Sequence, residues 1–454
     1  YEDLCYSDGS PITAEDYVFA MLFTMSKGAA ESGADRNAGS FIKGSLDFRQ
    51  NRVPYVSGIR LIDRYTFSVA IEPEYEPFFY ELGYFNYYPL SPDLLYGGAS
   101  VKDDGNGAYV SPNKALKAEY YTKYILNKNM TNPSRTSGPY VLKSFDGTTA
   151  AFEINRYYKG NSSGEMPTIP AIRFTCISPE EIIPALQEGK VDLVNKVTAA
   201  EMADAGLELA KTESFAASSY PRAGVSLAGF CCERPAVKEA AVRRAMAYCM
   251  DKEAIARDYC GEYGLAVSGY YGIGQWMYQM AVGAIPMPED APEDTSFDMS
   301  GILTYSFDTA AAAHDLQNAG WYMGEDGIRH KRDENGRDVK LELVLVYPET
   351  TEIGESLEKN WVSHLAEVGI KLTLKPMPFA ELLELYYGKD RDVDLIFLAT
   401  DFTAVFDAAS VVLPKGGRNY SGINSELLWK TANAMDRTEA GDLVGYVKKW
   451  IAFQ

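Results

Sequence analysis

Three stretches, Lys340-Leu-Glu-Leu-Val-Leu-Val-Tyr347, Gly369-Ile-Lys-Leu-Thr-Leu374 and Asp394-Leu-Ile-Phe-Leu-Ala399, decide the architecture of the second half of this chain. Leu341, Leu343, Leu345 and Tyr347 alternate in the first and Ile370, Leu372 and Leu374 in the second, which is the two-residue period of a strand. The intervening residues, about Ile353–Val368 and about Phe379–Tyr387, read as helices. Strand, helix, strand, helix, strand makes two consecutive βαβ units and predicts a right-handed, doubly wound α/β lobe. Upstream, Pro235 opens a predicted helix with Val237, Ala241, Ala245 and Tyr248 on one face, running to Met250-Asp251-Lys252. Residues 281–300, with three prolines and several acids, read as an exposed connection.

Further toward the amino terminus, residues 137–160 predict two strands around Asp146-Gly147. A strand Ile172–Cys176, a short helix Glu180–Gly189 and a strand Val191-Asp192-Leu193 follow. Residues 91–136, rich in Gly, Asn, Lys and Pro, read as a crossover between domains. Residues 59–72 read as a β-hairpin that breaks at Asp63-Arg64, with Phe67, Val69 and Ile71 alternating after it. Tyr6-Ser7-Asp8-Gly9-Ser10-Pro11-Ile12-Thr13-Ala14-Glu15-Asp16-Tyr17 predicts strand, tight turn and capped helix. Thr13 and Asp16 have the spacing of a capping box, and Val18, Met21, Leu22 and Met25 form the apolar stripe.

At 454 residues the chain is too long for one ordinary core, so two or three domains are expected. Its 43 basic and 63 acidic residues leave a net charge of −20, which argues against nucleic acid and against an anionic membrane surface as partners. The longest apolar runs fall far short of the roughly 18 residues that cross a bilayer, and the chain reads as soluble as given. It starts at Tyr1, and no targeting sequence precedes the first structured segment, so any such peptide is absent or already removed.

Six cysteines with no C-x-x-C pair are too few for a disulfide scaffold. Buried thiols are the default for Cys5, Cys176, Cys231, Cys232, Cys249 and Cys260, with Cys231 or Cys232 also a candidate for a bridge to a distant partner. His314, His330 and His364 lack a second ligand at metal spacing and read as helical-surface or loop histidines. No phosphate-loop motif occurs, and neither Gly224–Gly229 nor Gly272-Ile273-Gly274 completes a nucleophile elbow or a dinucleotide fingerprint. Catalysis and bound cofactors or metals are not expected.

Six elements in order resemble family 5 extracellular solute-binding proteins, the peptide-binding subunits of bacterial ABC importers. The Tyr6–Tyr17 stretch resembles the family's SDG-T-P-(V/I)-T-A-x-D signature. Ser137-Gly138-Pro139-Tyr140 is similar to its G-T-G-P-Y element and Asn155–Gly160 to its N-x-x-Y-x-G stretch. Residues 235–253 are similar to its V-R-x-A…D-R/K helix, and His314–Trp321 with Val368-Gly369-Ile370 to its A-G-W and G-I-x-V elements.

The resemblance implies an α/β, two-lobed periplasmic-binding-protein-like fold (type II, with an extra α+β domain), the lobes hinged around a cleft that closes on its ligand. It divides the chain into an extra domain (1–125), a first lobe (126–222) and a second lobe (223–454), and by it the chain looks truncated at both ends. It implies a non-enzymatic, monomeric, extracytoplasmic protein that captures oligopeptides or dipeptides and delivers them to a permease with its ATPase subunits. Its membrane contact would run through a lipid anchor outside this sequence. Oligosaccharide or metal-chelate ligands are the alternative, and a hydrolase or a peptide-signalling receptor stands further off.

One site is reached from both directions. The predicted strand Asp394–Ala399 ends just before Thr400 and Asp401, at the strand's carboxyl end, where open α/β sheets bind ligands. By the resemblance, Asp401-Phe402 stands where peptide-binding members have an Asp-Tyr pair whose carboxylate, expected here to be buried, receives the ligand's α-ammonium. The alternative for Asp401 is a turn or helix-capping role. Asn419, in a segment similar to the family's N-x-x-G-Y/N, and Arg418 are further ligand candidates, a solvated loop Arg being the alternative for Arg418. Tyr270, Tyr271 and Trp276, in Gly269-Tyr-Tyr-Gly-Ile-Gly-Gln-Trp276, are stacking candidates with core packing as the equal alternative.

Overall fold

The computed structural model describes residues 2–33, 38–129, 132–197, 199–388, 391–414 and 419–454. Two compact units make up the chain, Tyr1–Glu181 and Ile182–Gln454.

The first unit is built around helix α1 (Ala14–Thr24), which starts where the Thr13/Asp16 spacing predicts. Asp16 Oδ2 accepts hydrogen bonds from Thr13 N at 2.8 Å and Thr13 Oγ1 at 3.0 Å, while its Oδ1 accepts from the Tyr6 hydroxyl at 3.0 Å. One carboxylate thus ties the turn, the cap and the helix together. Val18, Phe19, Met21, Leu22 and Met25 are all buried, in a cluster with Ile59, Val101 and Val110. Strands β1 (Ile59–Leu61) and β2 (Phe67–Val69) form the expected hairpin. A second hairpin, β3 (Ser100–Asp103) with β4 (Ala108–Ser111), corrects the reading of 91–136 as a crossover. Its Asp104–Gly107 loop is a hairpin turn, and Glu15 of α1 accepts from Val101 N at 2.7 Å, so residues 100–111 belong to this core.

Strands β5 (Tyr140–Phe145), β6 (Thr149–Ile154) and β7 (Ala171–Thr175) form an antiparallel meander turning at Asp146-Gly147. The helix Pro179–Gln187 follows, but residues 191–193 are irregular and not a strand. With one apolar residue on each side of an Asp and Leu193 78% exposed, that stretch buries too little to fix a pairing.

The second unit carries a four-stranded sheet in the order β13 (Lys371–Met377), β12 (Glu342–Pro348), β14 (Leu395–Asp401), β8 (Gly224–Phe230). Strand β12 pairs in parallel with both β13 and β14, as the two βαβ units require, and β8 is antiparallel to β14. Leu341, Leu343, Leu345, Leu372 and Leu395 lie in one core with Val242, Met246 and Trp361. The helix after Pro235 starts later than expected, at Ala240. Arg243 Nη1 holds the Val237 and Lys238 carbonyls at 2.8 and 2.7 Å, which keeps residues 235–239 as turns.

A three-stranded sheet, β9 (Tyr322–Met323), β10 (Arg329–Arg332) and β11 (Asp338–Lys340), corrects one histidine. His330 is a strand residue, only 9% exposed, with Nδ1 2.9 Å from Asp338 and Nε2 3.1 Å from Asp326. Hydrogen bonding to Asp338, with Asp326 adding to it, holds its pKa above the usual histidine value. The six cysteines are free, Cys231, Cys232 and Cys249 buried and Cys176 exposed. Among the described residues no helix is long and apolar enough to cross a membrane.

Asp16→Ala removes two cap contacts and leaves the Tyr6 hydroxyl without its acceptor. It is expected to destabilise the first unit by about 2–3 kcal/mol, read by urea unfolding, with Asp16→Asn intermediate.

Candidate functional site

The carboxyl-terminal half of β14 outruns β12. Only Leu395 and Ile396 pair with β12, whereas Phe397 through Asp401 pair with β8 alone, ending in Asp401 opposite Gly224. Pairing with β8 also carries the strand through Thr400 and Asp401, two residues beyond the predicted end.

A third piece of chain closes on this edge. Gly274 N donates to Arg222 O at 2.8 Å and Phe402 N to Ala223 O at 2.7 Å, so residues 222–223 are held from both sides. The approach leaves no room for side chains. A Cβ on Gly272 would lie 2.3 Å from Gly224 N, one on Gly274 2.2 Å from Pro221 O, and one on Gly224 2.4 Å from Asp401 Oδ1. Gly272 and Gly274 therefore serve close backbone packing.

This packing brings Tyr270, Asp401 and Phe402 together. The Tyr270 ring stands edge-on to Phe402 at 5.0 Å, and Phe402 to Phe406 at 5.4 Å. Gln454 fixes the Tyr270 backbone, accepting from its N at 2.7 Å and donating to its O at 3.2 Å. The Asp401 carboxylate is not buried as expected: its side chain is 68% exposed, and Oδ1 accepts from Arg222 Nη2 at 2.5 Å. As the last residue of an overhanging strand it has no layer above it to bury it. Arg222 escaped sequence reasoning, because it lies in an irregular segment far from Asp401 in the chain and belongs to no motif.

The other candidates lie elsewhere in the packing. Tyr271 is 6% exposed and packs on Tyr278 and Trp450, while Trp276 stacks on Tyr446 at 5.5 Å. Both anchor the stretch to the helix Leu443–Phe453. Asn419 Nδ2 donates to Leu413 O at 3.0 Å and Ile423 O at 2.8 Å, so its amide closes its own loop. Arg418 lies outside the described residues.

Behind Phe406 the helix Ala408–Val412 begins at two carboxyl groups. Asp407 Oδ1 accepts from Ser410 N at 3.0 Å and Asp436 Oδ2 from Ala409 N at 3.4 Å, while Asp436 Oδ1 is buried without a protein partner among the described residues. Burial, reinforced by the charge of Asp407, pushes the Asp436 carboxyl well above the usual carboxylate range.

The family model of bacterial extracellular solute-binding proteins, family 5 (middle), matches residues 2–419. The chain belongs to that family. An oligopeptide-binding protein OppA of Lactococcus lactis subsp. lactis (strain IL1403) is 22% identical over 485 residues, covering 100% of this chain and 71% of the relative. The structure of lactococcal OppA, closed on an endogenous peptide, superposes with a TM-score of 0.74 at 17% identity, over 100% of this chain and 79% of that one. NikZ from Campylobacter jejuni in complex with Ni(L-His) superposes with a TM-score of 0.67 at 15% identity, over 100% and 77%. The shared architecture is the two-lobed binding-protein fold, and it accommodates ligands as different as a peptide and a metal chelate.

Gly272→Ala forces a methyl group into the 223–224 backbone and is expected to cost about 3 kcal/mol in denaturant unfolding. Asp436 has a folded pKa above its unfolded value, so its contribution to stability is present below about pH 4 and is lost as pH rises toward the folded pKa. Asp436→Asn removes that loss. Its stability relative to the parent is expected to grow by up to about 1.4 kcal/mol per pH unit, checked by guanidinium unfolding at mildly acidic and slightly alkaline pH.

Proposed function

We propose that this chain is the substrate-binding subunit of an ABC importer and that it captures peptides at the carboxyl end of β14, Asp401 taking the ligand's α-ammonium beside Tyr270 and Phe402. The observation that carries the reading is the exposed carboxylate at the overhanging strand end, next to an aromatic edge, in a chain of the solute-binding family. A carboxylate and an ammonium form a charge-assisted hydrogen bond, and aromatic faces supply contact area at low entropic cost. Relatives that bind oligopeptides support a peptide rather than a sugar. Asn419, Tyr271 and Trp276 enter this reading as supports of the site's loops rather than as ligand contacts.

The activity is capture and delivery, with no bond made or broken. The partners are a permease and its ATPase subunits, the protein works outside the cytoplasm as a monomer held by a lipid anchor, and the parts are an extra domain (1–125), a first lobe (126–222) and a second lobe (223–454).

Calorimetric titration with peptides bearing free or acetylated amino termini tests the anchor. Since Asp401 is solvated and already paired, the expected loss for Asp401→Asn is about tenfold, roughly 1.4 kcal/mol, for free-amine peptides and negligible for acetylated ones. Equal losses for both would remove the ammonium anchor, and binding of nickel–histidine but of no peptide would move the ligand to a metal chelate.

A further inference from the structure

Arg222 and Asp401 are joined by one hydrogen bond, Nη2 to Oδ1 at 2.5 Å, with side chains 47% and 68% exposed. A guanidinium offers five N–H donors in a rigid plane, and a carboxylate accepts at both oxygens. Asp401 Oδ2 and the remaining donors of Arg222 have no protein partner among the described residues. Spare acceptor and spare donor capacity thus lie side by side on one exposed strand end.

Neither residue is free to drift. The Arg222 carbonyl is held by Gly274 N and the Ala223 carbonyl by Phe402 N, and Asp401 is the last ladder residue opposite Gly224. Both poles are therefore set on backbone that the glycine contacts lock.

We propose that Arg222 and Asp401 form a two-pole receptor for the amino-terminal residue of a peptide: Asp401 takes the ammonium and Arg222 the carbonyl oxygen of that same residue. This rests on the peptide reading above. The ammonium and first carbonyl of a peptide are separated only by Cα, about 3 Å apart, which suits two groups already in hydrogen-bond contact. A lone carboxylate would accept any primary amine, whereas the pair selects an amine with an acceptor beside it. The planar fork matters as well as the charge, since a guanidinium can donate to Asp401 and to a ligand oxygen in fixed directions together.

The test is thermal stabilisation by a pool of random octapeptides with free amino termini, titrated against the parent chain, Arg222→Ala, Arg222→Lys, Asp401→Asn and the double variant. Ethylamine, an amine without the carbonyl, is titrated alongside. The expected result is a half-saturating pool concentration raised at least tenfold by Arg222→Ala and several-fold by Arg222→Lys. The double variant loses little more than the worse single one, because the two residues hold one group, and ethylamine gives no shift at these concentrations. Circular dichroism of the half-exposed Arg222 variants checks that they fold. An Arg222→Ala midpoint equal to or lower than the parent's, with Asp401→Asn still weakened, would overturn the two-pole receptor and leave the ammonium anchor standing. A charge role alone would show as full retention by Arg222→Lys, which also overturns it. No stabilisation of the parent by the pool would instead remove the peptide reading itself.

Discussion

Everything at the candidate site depends on backbone contact closer than any side chain permits. Residues 221–224 lie between the glycines of the 269–274 stretch on one side and the end of β14 on the other, at distances where a Cβ on Gly272, Gly274 or Gly224 would strike backbone or carboxylate atoms. Arg222, Tyr270, Asp401 and Phe402 come from three distant parts of the sequence. Their meeting is a consequence of that packing and of two hydrogen bonds, Gly274 to Arg222 and Phe402 to Ala223.

The remaining parts brace this edge. Tyr271 and Trp276 turn away from Asp401 into the helix Leu443–Phe453, Gln454 holds the Tyr270 backbone, and the Tyr446 hydroxyl donates to the Phe406 carbonyl at 3.3 Å. Aromatic residues in one short stretch thus divide into two tasks, Tyr270 packing on Phe402 and Phe406 and its neighbours on the helix Leu443–Phe453. The division follows from burial, because only rings with a packed layer on their far side are removed from water. The same logic explains the carboxylates: Asp401, at an overhanging strand end, stays solvated, whereas Asp436, under helix Ala408–Val412, is buried and resists ionisation.

Structures of one architecture are seen with a peptide and with a nickel–histidine chelate, so the fold by itself does not set the ligand class. In a chain of net charge −20, Asp401 at this strand end is paired with an exposed Arg222. The pair sets guanidinium donors beside a carboxylate acceptor.

The amino-acid sequence alone determined the βαβ order of residues 340–401, the hairpins at 59–69 and 140–154, and the capped start of α1, because each is encoded by local spacing and turn chemistry. Local reading also placed Asp401 at a strand's carboxyl end, while Phe402 came from the family resemblance. Only the tertiary structure decided that residues 100–111 form a hairpin of the first unit, that residues 191–193 form no strand, that His330 sits between two carboxylates, and that Arg222 reaches Asp401. The last of these turns on a partner remote in the chain, 179 residues away, and the His330 contacts, though only four and eight residues apart, need the strand pairing that brings them together. Local pattern carries the period of an element, but exposure, ionisation and pairing belong to whatever the fold sets against it.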